Sequence, residues 1–189
     1  MTTQMDASRR SKLSPIDWLV AAFAMFAILV HDGAHIAAGR YWDIFWICNV
    51  AALLVGPAIL LRSPDLSAVA LTWLVPGTIV WLVDALVFGA HILPTSYAAH
   101  FGGTAAAVYA TRRFGWSRHG WLFALGVLGL TVLVSRLFLP AAANVNAAHA
   151  VPKGWGFLGR SPAIFAMSGA ALAVATCLAG RLLGRAVAR

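Results

Sequence analysis

The sequence contains no glutamate, few charged residues of any kind and only two cysteines. Charged residues make up 11% of the 189 residues, against roughly one quarter in a soluble domain, whereas 61% are hydrophobic. The apolar residues stand in long blocks, unlike the interrupted stripes that one-sided burial against a soluble core produces. These shortages exclude a soluble globular enzyme and a disordered chain. They predict an integral membrane protein.

Several catalytic and redox motifs are also missing. Cys48 and Cys177 fall near opposite ends of their apolar blocks, so they should lie beyond the roughly 7 Å between Cα atoms that a disulfide spans. The chain has no glycine-rich nucleotide loop after a strand, no Gly-x-Ser-x-Gly elbow and no desaturase-type set of histidine boxes. Any chemistry must therefore come from polar side chains inside the apolar blocks.

Six apolar segments approach or reach the roughly 20 residues that cross a hydrocarbon core. They predict an all-α fold, a compact bundle of six transmembrane helices in one domain over residues 1–189, with a basic tail at 1–14. The first segment also fits a signal peptide, because a basic stretch precedes it. The predicted segments are 15–30, 44–61, 66–88, 95–110, 121–139 and 162–183.

The basic residues define a predicted orientation. Lys and Arg total 14 against 6 acidic residues, all of them Asp, and they form short clusters between the apolar blocks. Nucleic-acid binding needs a continuous basic face, so this partner is excluded. Ten of the 14 fall on one side of the predicted topology. The positive-inside rule therefore predicts a multi-pass inner-membrane protein with both termini cytoplasmic.

Polar residues concentrate at the predicted outer ends of the segments. Cys48, Asn49, Asp84, His100 and Arg136 should all lie within roughly 10 Å of the outer boundary, at 1.5 Å of rise per residue. Polar groups in hydrocarbon cost free energy unless they are partnered, so this cluster predicts a shared cavity at the outer face. The predicted outer connections add His31, Asp32, His35, His91, Asn144, Asn146 and His149.

Structural explanations compete with a functional one at three of these positions. Asp84 and Arg136 could form an ion pair that joins the third and fifth segments. Cys48 could be a small apolar filler, since free cysteine packs as a small hydrophobe. His100 could be a structural imidazole bonded to a backbone carbonyl.

The outer histidines offer a metal site as an alternative. His31 and His35 are four residues apart, a spacing that places two imidazoles on one helix face, with Asp32, His91 or His149 as a possible third ligand. Gly33 makes this stretch a poor helix, and we expect a connection there. A haem would need two inward histidines on facing segments. In this interpretation the protein binds a metal ion, haem or small ligand without catalysis, or serves as an assembly partner.

Three motifs resemble the YwaF-type bacterial integral membrane proteins. They are the run from Trp46 through Cys48 and Asn49, the run from Pro94 to Gly102 around His100, and the Asn-Val-Asn run at 144–146. The resemblance spans about residues 40–185. The same six-helix plan is similar to eukaryotic relatives that act as an ether-phospholipid acyltransferase, and more distantly to the androgen-induced membrane hydrolases of fatty-acid esters.

The resemblance implies roles for three residues. Cys48 matches the family cysteine that accepts the acyl group, His100 matches the family histidine, and Asn146 matches the polar residue after segment five. The chain departs from the family pattern around them. Trp46 stands where the family often has histidine, and Asn49 stands where it often has aspartate.

Elementary chemistry supports the same pair. A thiolate attacks an ester carbonyl, so Cys48 needs a base, and His100 could take its proton while Asp84 or Asn49 orients the imidazole. Arg136 could hold a lipid phosphate. We therefore expect acyl transfer or ester hydrolysis on membrane lipid, without a cofactor. The predicted catalytic residues are Cys48, His100, Asp84 and Asn146, and the predicted substrate contacts are Arg136, Asn49 and Asn144.

Overall fold

The computed structural model describes residues 12–89, 92–152, 154–159 and 161–188, and within these ranges the chain forms six helices and no strand. The 3₁₀ segments Tyr41–Phe45, Val145–Ala147 and Gly156–Leu158 lie in the connections. Helix α4 begins as Thr95–Tyr97, passes through a π-helical turn at Ala98–Gly102 and continues as Gly103–Phe114. The other helices are α1 Pro15–Ala37, α2 Ile47–Leu60, α3 Pro64–Val87, α5 Gly120–Phe138 and α6 Pro162–Val187.

The predicted all-helical fold is confirmed, but the prediction for the end of the first segment is wrong. Helix α1 continues seven residues past Val30, so His31 and His35 lie in the helix and not in a connection. Both side chains are buried and have polar contacts. Their tertiary contacts offset the roughly 1 kcal/mol that Gly33 costs a helix.

Four of the helices are long and apolar enough to cross a membrane. They are α1, α3, α5 and the stretch Ala163–Val187 of α6. Helix α2 has 14 residues and rises only about 21 Å, less than the roughly 30 Å of a hydrocarbon core. Four of the six predicted spans therefore meet the length criterion among the described residues, which indicates a membrane protein.

The distribution of side chains is inverted relative to a soluble protein. Polar residues such as Asn49, Thr72 and Ser135 are at most 4% exposed. The most exposed large side chains are apolar, as expected where the surroundings are lipid and only the interior offers polar partners. Examples, each more than 60% exposed, are Leu19, Phe26, Leu86, Leu137 and Phe138.

Helix α3 lies in the middle of the bundle and contacts α2, α4, α5 and α6, while α1 packs on α2. Small residues make these contacts close. At Gly120 a side chain would overlap the methyl group of Ala68, and at Gly56 it would overlap Met25. Backbone approach of this kind is how helices associate in a bilayer, where packing replaces the hydrophobic effect.

A buried acid ties α1 to α4 at the amino end of α1. Asp17 is fully buried and completes a capping box with Ser14. Its Oδ1 atom accepts a hydrogen bond from the Tyr109 hydroxyl at 2.6 Å and forms an ion pair with Arg113 Nε at 3.2 Å. These contacts hold the two helices together at the end of the bundle farthest from the histidines of α1.

We expect the substitution Asp17→Ala to lower the free energy of unfolding by about 1.5–3 kcal/mol, because it removes the charged acceptor of Tyr109 and Arg113. Thermal unfolding of the purified protein measures this. Asp65→Ala is the matched control, since Asp65 also lies in the first turn of a helix but makes no ion pair among the described residues. Equal destabilisation by the two substitutions would contradict the assigned role.

Candidate functional site

A cavity of about 420 Å³ lies at the end of the bundle where α1 and α3 finish and α2, α4 and α6 begin. This volume is in the range of small-molecule sites. Its polar lining comes from short stretches of all these helices, including Thr176 of α6, together with the 3₁₀ segment Tyr41–Phe45. The same end of the molecule was predicted to hold the polar cluster.

The cavity changes from polar to apolar with depth. Near the helix ends its wall carries imidazole and carboxylate groups, including His35 and Asp84. Deeper in the bundle the wall is mainly apolar and includes Trp73, Leu128 and Ala173, with Thr176 as a polar residue. Asp84 and Trp73 are eleven residues apart on α3, so the wall extends about 16 Å along this helix. The cavity therefore has the polarity profile of an amphiphile.

The absence of a side chain at Gly169 leaves free space at the cavity wall. Gly169 of α6 lines the apolar part, and a Cβ atom added there would meet no atom within 4 Å. A larger side chain at this position would enter the cavity without displacing its neighbours. Gly129 of α5 is equally free of neighbours and does not line the cavity.

The structure brings seven of the ten predicted site residues to this cavity, leaves two elsewhere and does not describe the tenth. Arg136 and Asn144 do not line it, and His91 lies outside the described residues. The seven that line it are His31, His35, Cys48, Asn49, Asp84, His100 and Asn146.

Cys48 occupies the second position of α2 and is partly exposed. Its Sγ atom lies 3.8 Å from Asn49 Oδ1, and no hydrogen bond joins it to His100. Opposite it on α3 stands Gly77, where an added Cβ would come within 2.8 Å of Cys48 Cβ. The glycine thus lets the two backbones approach and places the thiol on the cavity wall.

Asn146 fixes the start of α2. Its Oδ1 accepts the backbone N–H of Ile47 at 2.9 Å, and its Nδ2 donates to the carbonyl of Phe45 at 2.9 Å and to Ser135 Oγ at 3.3 Å. Both ends of the amide are therefore engaged with the residues that precede Cys48. In this arrangement Asn146 positions the cysteine and has no hydrogen bond to the thiol.

His100 is held in one tautomer. Its Nδ1 lies 3.1 Å from the Ser96 carbonyl, which only accepts, so a neutral ring carries its proton on Nδ1. Trp81 stacks on the ring with centroids 4.7 Å apart, and Nε2 is buried without a hydrogen-bond partner among the described residues. The expectation that Asp84 or Asn49 orients this imidazole is wrong, because the Ser96 carbonyl does so.

The predicted ion pair between Asp84 and Arg136 is also wrong. Asp84 accepts a hydrogen bond from Trp155 Nε1 at 3.1 Å, and Arg136 is exposed and donates to the Ala148 carbonyl at 2.9 Å. Because Arg136 points away from the cavity, it does not fill the predicted role of a phosphate contact there. The basic residue on the cavity wall is Arg40.

Asn144 organises the loop and not the cavity. It adopts a left-handed conformation with φ 45°, and its Oδ1 accepts the backbone N–H groups of His149 and Ala150, both at 2.9 Å. This turn presents Asn146, two residues later, to the start of α2. The predicted substrate contact at Asn144 is therefore replaced by a structural role.

A continuous chain of polar contacts runs from α4 through α1 to the segment before α2. The Thr95 hydroxyl lies 3.0 Å from His31 Nδ1, the two histidine Nε2 atoms are 3.2 Å apart, and His35 Nδ1 lies 3.2 Å from Asp43 Oδ2. Asp43 also pairs with Arg40. With the His31 proton on Nε2, His31 donates to His35 Nε2 and accepts from the Thr95 hydroxyl, whereas His35 Nδ1 and Asp43 Oδ2 are close without the geometry of a hydrogen bond.

Four parts of the site were not predicted from the sequence: Arg40, Asp43, Ser96 and Trp81. Arg40 and Asp43 are three residues apart beside the histidines, which is a usable signal for a local ion pair. Ser96 acts through its backbone carbonyl, for which side-chain identity carries no information. Trp81 is one of eight tryptophans, and nothing in its neighbourhood marks it as a stacking partner.

Comparisons of the chain with protein-family models, with curated proteins and with solved structures find no match.

We expect Asn146→Ala to lower the free energy of unfolding by about 1–3 kcal/mol, because it leaves the Ile47 N–H and the Phe45 carbonyl without a partner. Thermal unfolding measures the loss. Asn146→Asp keeps an acceptor for Ile47 but no donor for Phe45, so an intermediate effect is expected. An unchanged unfolding temperature in Asn146→Ala would contradict the positioning role.

Proposed function

We propose that this protein is a membrane enzyme that binds an ester lipid in the cavity and transfers or hydrolyses its acyl group through Cys48. The observation that carries the proposal is the cavity itself, in which Cys48 and His100 share a wall that is polar near the helix ends and apolar deeper in the bundle. An ester of a fatty acid has the same profile, with a polar head, a reactive carbonyl and an apolar chain.

The tautomer of His100 suits a general base. With its proton on Nδ1 and directed to the Ser96 carbonyl, the ring keeps a lone pair on Nε2. No hydrogen bond joins this atom to the Cys48 thiol, and Nε2 is buried, so proton transfer requires a movement that opens Nε2 to the thiol or to a water molecule. The polar Ser96 carbonyl would also stabilise the imidazolium that forms.

The chemical steps follow from these two groups. The thiol proton passes to His100 as the sulfur attacks the ester carbonyl and a C–S bond forms. The tetrahedral intermediate then loses the alcohol, whose oxygen takes the proton from the imidazolium as the C–O bond breaks. A water molecule or a second hydroxyl finally attacks the thioester and regenerates the thiol. Water completes a hydrolysis, and a lipid hydroxyl completes a transfer.

The membrane setting is part of the same proposal. Both termini are placed in the cytoplasm and the cavity at the outer leaflet of the inner membrane, from the ten-to-four distribution of basic residues. Ester groups of phospholipids lie just inside the membrane boundary, at the depth of the first turns of α2 and α4. The motifs around Cys48, His100 and Asn146 support membership of the YwaF-type family.

The covalent intermediate provides a direct test. Vesicles of phosphatidylethanolamine and phosphatidylglycerol that carry an alkyne-tagged acyl chain are incubated with the purified protein, and the protein is then coupled to a fluorophore. We expect a hydroxylamine-sensitive label on Cys48 in the wild type. His100→Ala should lower the labelling rate by about 10²–10⁴-fold, the range of general-base catalysis.

Cys177→Ser is the matched control, since Cys177 is fully buried in the core and does not line the cavity. It should be labelled like the wild type, and Cys48→Ser should carry no thioester. Labelling that is equal in the wild type and in Cys48→Ser would overturn the proposal. So would a wild type without label while circular dichroism shows it folded.

A further inference from the structure

The two histidines of α1 are the strongest feature that the acyl chemistry does not use. His31 and His35 are 2% and 8% exposed, and both line the cavity. Their Nε2 atoms are 3.2 Å apart, and their ring centroids are 4.5 Å apart. Either a shared proton or a shared ion accounts for two ring nitrogens that face each other at this distance.

The separation matches metal coordination. Zinc binds imidazole nitrogen at 2.0–2.1 Å in tetrahedral geometry, so two such ligands lie about 3.3 Å apart. The spacing of four residues on a helix places both rings on one face and makes the pair preorganised. A metal ion would replace the proton that one Nε2 carries in the metal-free state.

The outer nitrogens of the two rings have the contacts that metal-binding histidines usually have. The ring nitrogen that does not bind the metal is commonly held by an oxygen atom, which sets the tautomer and the ring orientation. Here His35 Nδ1 lies 3.2 Å from Asp43 Oδ2, and His31 Nδ1 lies 3.0 Å from the Thr95 hydroxyl. Arg40 in turn holds Asp43. The two Nε2 atoms, which share a proton at 3.2 Å, are therefore the ones that would bind a metal ion when that proton is displaced.

We propose that His31 and His35 form a binding site for a divalent transition-metal ion of borderline softness such as Zn²⁺. No group of three or more His, Cys, Asp or Glu side chains is arranged to hold a metal among the described residues, so the pair supplies the protein ligands. Water or a ligand oxygen would complete the coordination, since both histidines line the cavity.

This site is independent of the Cys48 chemistry, and its test uses metal binding alone. Full-length protein is purified through a tag without histidine, stripped with a chelator and titrated with Zn²⁺, and bound zinc is counted by mass spectrometry of the element. We expect one zinc ion per chain in the wild type and none in His31→Ala or His35→Ala. Asp43→Asn should bind zinc roughly 10- to 100-fold more weakly, as loss of a ligand's hydrogen-bond partner does.

The matched control is His149→Ala, which removes a histidine whose Nε2 lies 3.1 Å from the Ser135 carbonyl, outside the cavity. It should bind zinc like the wild type. A second measurement does not depend on the variants folding. In the wild type, Zn²⁺ should protect His31 and His35, but not His149, from acylation by diethyl pyrocarbonate. Zinc uptake that is equal in the wild type and both α1 variants, or no protection of the pair, would overturn the proposal.

Discussion

Many large apolar side chains are exposed, so polar side chains inside the bundle depend on partners within the protein. Two sets of contacts supply such partners among the described residues. At one end Asp17 receives Tyr109 and Arg113, and at the other end a chain of contacts leads from Thr95 to Arg40. An unpartnered polar group in hydrocarbon costs several kcal/mol. The positions of α1 and α4 relative to each other follow from these contacts.

The cavity is a consequence of the same arrangement. Helix α2 is short and packs against α1 and α3, and its start is held by the Asn146 amide. The 3₁₀ segment before it carries Asp43 inward to meet His35. The helices around the start of α2 enclose the cavity that Cys48 lines. The acyl chemistry and the metal site are both proposals about what occupies that space.

Hydropathy and polar placement predicted much of the architecture, for physical reasons. A stretch of apolar residues long enough to cross a bilayer has few alternatives to a helix, so six segments and six helices agree within the described residues. Polar residues near the same ends of the segments predicted a common site, and Cys48, His100 and Asn146 do line one cavity. These residues were predicted together because the rise per residue fixes how far each one lies from the end of its helix.

The sequence did not predict how each helix is rotated about its axis, and the wrong predictions arise from this. Arg136 and Asp84 do not pair, and their partners are the Ala148 carbonyl and the Trp155 indole. His31 and His35 were assigned to a connection because Gly33 weakens a helix, whereas buried contacts extend it. The contact of the Ser96 carbonyl with His100 could not be predicted, because every residue type has a backbone carbonyl.

The central claim is that the cavity holds an amphiphile with its reactive group beside Cys48. The most direct measurement is the rate of Cys48 alkylation by a maleimide in nanodiscs, with and without the acyl ester monoolein. The account predicts that monoolein slows alkylation in the wild type and in Gly129→Leu, and slows it much less in Gly169→Leu, whose side chain takes up part of the cavity. Equal protection in all three proteins, or none in the wild type, would contradict it.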